Sequence, residues 1–363
     1  MPVHTLQAPL QLESGQKLER PQIAYSISGT PLIDGSNVVV VCHTLTGGID
    51  VVESPVWWFV GPGQLIDTNV FCVVSMATLG SWYGSSSPYT GLDLPDQVGD
   101  PISFPTVTVT DSINAHRQVL AQLGITRARL VIGGSFGGFC AYTWLLLEPD
   151  LFDKAFIFQS SLRCSAHTIA FFSLARELIC SDPLWQSGRY QQADIKKMTG
   201  VLKLLGLNRL MQMSHAFFEK KFPPSERCRD VSLAIPYFEP FSSVDDFMLS
   251  GPNSLTGLDP NALLCTMRSS SLFDLERTFP DLWERWSRVR TEVVQIPCTQ
   301  DWRYPVEGMR EIHDSLCEQG LQSHLIITES RYGHGSFLHD PSSLKPFLPF
   351  LASLICSEFD QNC

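Results

Sequence analysis

The 363-residue sequence has no C-x-x-C pair, although it carries 11 cysteines. A disulfide framework or a zinc site is thereby set aside. The cysteines are odd in number and scattered through apolar segments, as reduced, buried thiols are. The nine histidines include no H-x-x-x-H or H-E-x-x-H pair, so no metal site is expected. A basic excess is lacking too. The formal net charge is −11, which argues against a partner held by phosphate neutralisation and leaves a small-molecule ligand open. No apolar run has membrane-spanning length. Met1-Pro2-Val3-His4-Thr5 offers neither a basic n-region nor an apolar h-region. No repeat or low-complexity tract is visible. What is present is a hydrophobic fraction of 44% against 17% charged, the balance of a folded chain with a sizeable core. The expectation is a cytoplasmic protein with no nucleic-acid or membrane partner.

The first 160 residues alternate between strands and helices. Ile23-Ala24-Tyr25-Ser26-Ile27 reads as a strand closed by Ser28-Gly29-Thr30-Pro31. Val38-Val39-Val40-Val41-Cys42 is β-branched without alternation, which suits a strand buried on both faces of a parallel sheet. Phe71 to Ser75 repeats the pattern, and Thr108 to Leu123 has helical spacing with Gly124 at its stop. Ala128 to Ile132, a helix from Phe139 to Leu147, and Ala155 to Phe158 then make a strand–helix–strand crossover. Between residues 161 and 290 the β-branched runs give way to helical stretches: Ile169 to Ile179, Ile195 to Met213, Val244 to Leu249 and Asn261 to Leu275. The parallel pattern resumes with Val293 to Cys298, a helix Val306 to Glu318, a strand His324 to Thr328 and a last helix from about Pro341 to Cys356. The expected division is an α/β core of residues 1–160 and 291–363 interrupted by a helical lid of residues 161–290.

Gly133-Gly134-Ser135-Phe136-Gly137 fits G-x-S-x-G between a strand and a helix. A nucleophilic serine on a sharp, strained turn needs that context, with flanking glycines to relieve crowding. The bland alternative is a glycine-rich turn with Ser135 as a helix cap; a dinucleotide fingerprint is excluded by the spacing. A serine hydroxyl needs a base, and the base an orienting carboxylate. In an α/β-hydrolase fold these follow in the order Ser, Asp or Glu, His. Asp301 lies three residues past the strand ending at Cys298. His334 lies in Tyr332-Gly333-His334-Gly335, beyond the strand ending near Thr328. His339 and Asp340 are the nearest competitors. The oxyanion donors would be the Phe136 N–H and, in the loop His43-Thr44-Leu45-Thr46-Gly47, the Leu45 N–H. His43 is read as structural rather than catalytic, since the fold already supplies a base.

With these residues in place the chain resembles the homoserine O-acetyltransferase family over nearly its whole length. The resemblance rests on His43 to Gly47, Trp57-Trp58, Gly61-Pro62-Gly63, Leu79 to Ser85, Phe104 to Val109, Gly133 to Gly138, Asp301-Trp302-Arg303-Tyr304-Pro305 and Tyr332-Gly333-His334. It implies a dimeric α/β-hydrolase-fold enzyme with a mostly parallel central sheet and a helical lid. It further implies transfer of acetyl from acetyl-CoA, as co-substrate and with no bound cofactor, through an acyl-Ser135 to a homoserine hydroxyl. His334 and Asp301 would be base and orienter, and Leu45 and Phe136 the oxyanion donors. Some positions depart from the family. Gly335 stands where members that use homoserine usually place an Asp that helps hold the substrate's amino group, a contact worth about 1.5–3 kcal/mol. Phe139-Cys140-Ala141-Tyr142 replaces a common Met-Gln pair. In Leu204 to Phe222 the family's Tyr- and Arg-bearing segment is hard to trace, leaving Arg209 either a carboxylate ligand or a solvated helix charge.

Two readings share every catalytic residue. One is acyl transfer from acyl-CoA to a small alcohol such as homoserine or serine. The other is hydrolysis of small acetate esters, in which water is the acceptor. A third reading, a binding module that keeps the fold without the chemistry, is disfavoured by the intact Ser135, Asp301 and His334.

Overall fold

A computed structural model describes residues 1–88, 103–227, 236, 242–250 and 257–356. The strands are β1 (Val3–Thr5), β2 (Leu10–Gln11), β3 (Lys17–Leu18), β4 (Gln22–Ser28), β5 (Val38–Cys42), β6 (Cys72–Met76), β7 (Ala128–Gly134), β8 (Phe152–Phe158), β9 (Glu292–Ile296) and β10 (Ser323–Leu325). Eight of them form one sheet in the order β1-β4-β6-β5-β7-β8-β9-β10, while β2 and β3 pair separately. From β6 to β10 every neighbour is parallel. At the other edge β4 runs antiparallel to β6 and β1 antiparallel to β4. The valines of β5 show why the run lacks alternation. Val38 and Val40 pack with Ile113 and Ala141 on one face, and Val39 and Val41 with Trp57, Phe59 and Phe337 on the other. A sheet covered on both faces buries every side chain of its central strands.

Two core helices matter for the site. The first, α1 (Val109–Gln122), starts at a capping box in which Thr108 and Asp111 satisfy each other's backbone N–H groups. The second, α2 (Phe136–Leu147), begins immediately after Ser135 and is buried along nearly all its length. The register levels the carboxyl ends of the strands: Cys42 pairs with Gly133, Gly134 with Phe158, and Phe158 with Ile296. An isolated bridge, Cys298 to Thr328, extends the β9–β10 pairing. The residues that follow these ends therefore emerge along one edge, where ligands meet open α/β sheets.

Strand β8 ends at Phe158 and β9 begins at Glu292. Between them lie α3 (Ala166–Cys180), α4 (Thr199–Gln212), α5 (His215–Lys221), α6 (Pro224–Arg227), α7 (Ser243–Leu249), α8 (Pro260–Leu272), α9 (Leu275–Thr278) and α10 (Leu282–Trp286). The described residues of this stretch form no strand, only a bridge between Arg163 and Asp274. After β9 come α11 (Val306–Glu318), then α12 (Ser336–His339), α13 (Pro341–Leu344) and α14 (Leu348–Cys356).

Three helices expected from the sequence are shorter than read. The stretch Ile195 to Met213 is broken at Met198, which is extended. Gly200 must sit against the Leu178 carbonyl, where a Cβ would come within 2.0 Å, and the Asp182 carboxylate accepts from the Gly200 N–H and the Thr199 hydroxyl. A helix start fixed from outside overrides local periodicity. Asn261 to Leu275 divides after Leu272 because the Asp274 side chain caps α9. The last helix breaks into α13, a 3-10 turn Lys345–Phe347 and α14; Pro346, lacking an N–H, cannot continue the ladder. The nine described cysteines are free, five of them buried and Cys317 and Cys356 exposed.

Candidate active site

Ser135 occupies the turn between β7 and α2 with φ 55° and ψ −119°, a conformation disfavoured for a residue with a Cβ. The turn closes only because its neighbours have no side chains. A Cβ on Gly133 would meet the Gly137 carbonyl at 2.0 Å, and one on Gly137 the Cys42 carbonyl at 2.3 Å. The latter contact seats α2 directly against the end of β5. Backbone bonds hold the strained residue: the Ser135 N–H donates to the Phe158 carbonyl at 3.0 Å, and the Ser160 hydroxyl to the Ser135 carbonyl at 2.8 Å.

The structure brings together the three side chains expected to act in concert. The Ser135 hydroxyl donates to His334 Nε2 at 2.9 Å, and His334 Nδ1–H donates to Asp301 Oδ2 at 2.8 Å. The carboxylate fixes the tautomer, so that Nε2 presents a lone pair to the hydroxyl. Asp301 is itself held by the loop after β9. Its Oδ1 accepts from the N–H groups of Arg303 and Tyr304 at 2.9 and 3.1 Å. The competing carboxylate, Asp340, accepts instead from the Ser330 and Ser342 hydroxyls. Asp301 and His334 are 3% and 4% exposed, so the pair works in a medium of low dielectric.

Sequence reasoning missed what positions His334. Gln159, the residue after β8, is buried and held at φ 43°. Its amide Nε2 donates to the Gly333 carbonyl at 2.9 Å, and its Oε1 accepts from the Gly335 N–H at 2.8 Å. One side chain thus clamps the backbone on both sides of the histidine. The His334 N–H donates to the Gln212 carbonyl at the end of α4, 2.8 Å away. Gly333, at φ 70°, lies where a Cβ would meet that same carbonyl at 2.7 Å. The available signal was a lone polar Gln159 ending an apolar strand.

Tyr304 was also overlooked. It is buried with its ring 5.3 Å from the His334 ring, and its hydroxyl meets the Ser135 side chain; burial pushes its pKa up, so it stays neutral. Phe136 opens α2, where a first-turn N–H has no intrahelical partner. Leu45 is the second residue of a turn closed by the Gly47 N–H donating to the Thr44 carbonyl at 3.2 Å. His43 pins this loop. Its Nδ1–H donates to the Thr44 carbonyl at 2.8 Å, and its Nε2 accepts from the Thr78 N–H at 3.1 Å. A ring that accepts a backbone N–H must be neutral, and burial lowers its pKa to about 4. Arg209 sits on α4 and is turned within the insertion. Its Nη1 donates to the Phe247 carbonyl at 2.5 Å, and its guanidinium lies 5.1 Å over the Phe247 ring. A role as carboxylate ligand would require leaving these contacts.

The described residues place no three His, Cys, Asp or Glu side chains where they could share a metal ion. No helix among them is long and apolar enough to cross a membrane.

A serine set on a strained strand-to-helix turn of a mostly parallel sheet, with a histidine and an aspartate from later strand ends, defines the α/β-hydrolase fold, and the model of that fold matches residues 37–202. A more specific kinship covers nearly the whole chain. A homoserine O-acetyltransferase of Sulfurimonas autotrophica is 33% identical over 344 residues, which cover 91% of this chain and 92% of that protein. The chain belongs to the homoserine O-acetyltransferase family, a family of acyltransferases. Solved structures agree in fold. A homoserine O-acetyltransferase from Bacillus anthracis superposes with a TM-score of 0.84 at 23% identity, covering 98% of this chain and 96% of its own. The esterase E22 superposes with a TM-score of 0.83 at 20% identity, covering 98% and 99%.

Proposed function

We propose that the protein transfers an acyl group, acetyl in the first instance, from acyl-CoA to the hydroxyl of a small acceptor such as homoserine or serine. The hydrogen-bonded chain from Ser135 through His334 to Asp301 supports the covalent chemistry, and the observation that favours transfer is the 33% identity to a homoserine O-acetyltransferase over 91% of the chain. Ser135 Oγ attacks the thioester carbonyl as His334 Nε2 takes its proton. The Leu45 and Phe136 N–H groups face the oxyanion of the tetrahedral intermediate. As the intermediate collapses, the C–S bond breaks and His334 returns the proton to the departing CoA thiol, leaving acyl-Ser135. The acceptor hydroxyl then gives its proton to His334 and attacks the acyl carbon; Ser135 leaves with that proton, and an ester is released. Asp301 stays ionised throughout and stabilises the imidazolium formed in each half-reaction.

Hydrolysis of small acetate esters is the second reading. It is favoured by Gly335, which carries no carboxylate for an acceptor's ammonium and whose N–H is engaged by Gln159. The two readings separate on incubating the enzyme with acetyl-CoA or p-nitrophenyl acetate, with and without homoserine or serine. Transfer gives CoA release that depends on the acceptor. Rapid ester turnover with no CoA release under any acceptor overturns it.

The same reading takes the helical insertion as a lid and as the surface through which two copies pair. Ile169 and Leu174 on α3, Leu210 on α4 and Leu249 on α7 are exposed apolar side chains there. Sedimentation equilibrium giving twice the chain mass is the expected result. The nine thiols of the described residues, none of them in a disulfide, support a reducing compartment, the cytoplasm.

A further inference from the structure

Arg303 has a feature that the acyl-transfer steps leave unused. It lies in the loop between β9 and α11, two residues past Asp301, and is only 5% exposed. Its guanidinium stacks 4.8 Å over the Phe171 ring of α3. Arginine keeps its charge even where burial lowers its pKa, as it does here. Yet Nε and Nη2 are buried and make no hydrogen bond. A charged donor left unpaired in a protein interior is costly, and each such group calls for an explanation.

The neighbouring groups do not supply the missing partner. Asp301, Tyr304 and Cys164 are the ionisable groups that act on Arg303. Burial raises the Cys164 thiol to about 12 and holds Tyr304 neutral, so neither is an anion. Asp301 is engaged elsewhere, its oxygens accepting from two backbone N–H groups and from His334. The two unpaired nitrogens also lie on one edge of the planar guanidinium. Arg129 illustrates that geometry in the same molecule, its Nε and Nη2 both donating to the Ile355 carbonyl at 2.8 and 2.7 Å. Such an edge presents two parallel N–H bonds, the match for the two oxygens of a carboxylate.

We propose that Arg303 is a specificity-determining residue whose free edge binds a carboxylate of the substrate in bidentate fashion. The proposal rests on the reading of Ser135 as nucleophile: Arg303 adjoins Tyr304, whose hydroxyl meets the Ser135 side chain. The carboxylate belongs either to the acceptor, as in a hydroxy amino acid, or to the acyl group, as in the half-acyl of a dicarboxylic acid.

Two matched pairs distinguish these sources. On the acceptor side, kcat/KM is measured for homoserine and for homoserine amide with acetyl-CoA. On the acyl side, p-nitrophenyl hemisuccinate is compared with p-nitrophenyl butyrate. The charged member is expected to be preferred in one pair. Arg303→Met should reduce that preference by about tenfold or more, the scale of a lost charge-assisted pair. Arg303→Lys, which keeps the charge and loses the fork, should give an intermediate ratio, and it stands in if the Met variant does not fold. A purely structural role would change both members of a pair together. Ratios unchanged by substitution, or a wild type indifferent to the carboxylate in both pairs, would overturn the proposal. Failure of the nucleophile reading shows separately, as absence of a p-nitrophenol burst with every ester. Calorimetry of homoserine and succinate binding to wild type and Arg303→Lys then decides on Arg303 alone, equal affinities refuting it.

Discussion

The two sides of the site are built on different terms. On the sheet side every group of the Ser135–His334–Asp301 chain has a partner, and glycines let backbone meet backbone at Gly133 and Gly137. On the helical side the charges are less settled. Arg209 is turned onto carbonyls of its own layer, and Arg303, reaching Phe171 of α3 from the core, keeps two donors unpaired. The difference teaches where selectivity can reside. A chemistry that must run the same way each time is over-determined by hydrogen bonds, whereas a recognition surface leaves valences for what binds it.

The strongest way to break the contrast is at Asp301. Asp301→Asn should lower turnover by about four orders of magnitude while the chain stays folded, because the ring loses its tautomer and not its space. Steady-state kinetics and a thermal melt check this; near-normal turnover would move the role to Asp340 or another carboxylate. Next comes the clamp. Gln159→Leu leaves the Gly333 carbonyl and Gly335 N–H without their partner, so kcat should fall about tenfold to a hundredfold and the midpoint of melting should drop, each orphaned group costing about 1–3 kcal/mol. Unchanged kcat with a lowered midpoint would reduce Gln159 to a structural residue.

A smaller effect lies in acid. His43 and His116 are buried with pKa values lowered to about 4, so well above pH 6.5 they are neutral in both folded and unfolded states. Between about pH 6.5 and 4 the unfolded chain takes up their protons and the folded one does not, so stability falls as pH falls, by about 1.4 kcal/mol per pH unit for each histidine. His116→Gln, which preserves a donor to the Ala77 carbonyl, should flatten that slope by roughly half of the two-histidine contribution, read from urea melts across the window. Smallest is Arg209→Gln. Loss of its carbonyl contacts should cost about 1 kcal/mol of stability and leave the acceptor KM within about threefold; a large rise in KM would make Arg209 a substrate ligand after all.

Much of the core was legible because its signals are local. The unalternating Val38 to Cys42 announces burial on both faces, and Gly133 to Gly137 announces a turn that only glycines permit. Their order along the chain then brings Asp301 and His334 to the same edge. What escaped was carried by distant partners. Gln159 looks like any polar strand end until the backbone beside His334 arrives to meet its amide. The break at Met198 depends on Asp182 and Leu178, which no periodicity within α4 reveals. The short edge strands β1, β2 and β3 are too brief to display alternation at all.

The bond from the His334 N–H to the Gln212 carbonyl joins the two halves of this contrast mechanically. The backbone that carries the imidazole is tied to the last turn of α4 as well as to Gln159 at the end of β8, so the position of the ring is set jointly by the helical layer and the sheet. Against the 2.9 Å separation of Ser135 and His334, a displacement of even half an ångström decides whether the proton can pass. The base is held from both layers at once, and a substitution that loosens the end of α4 reaches the proton relay without touching any of its three side chains.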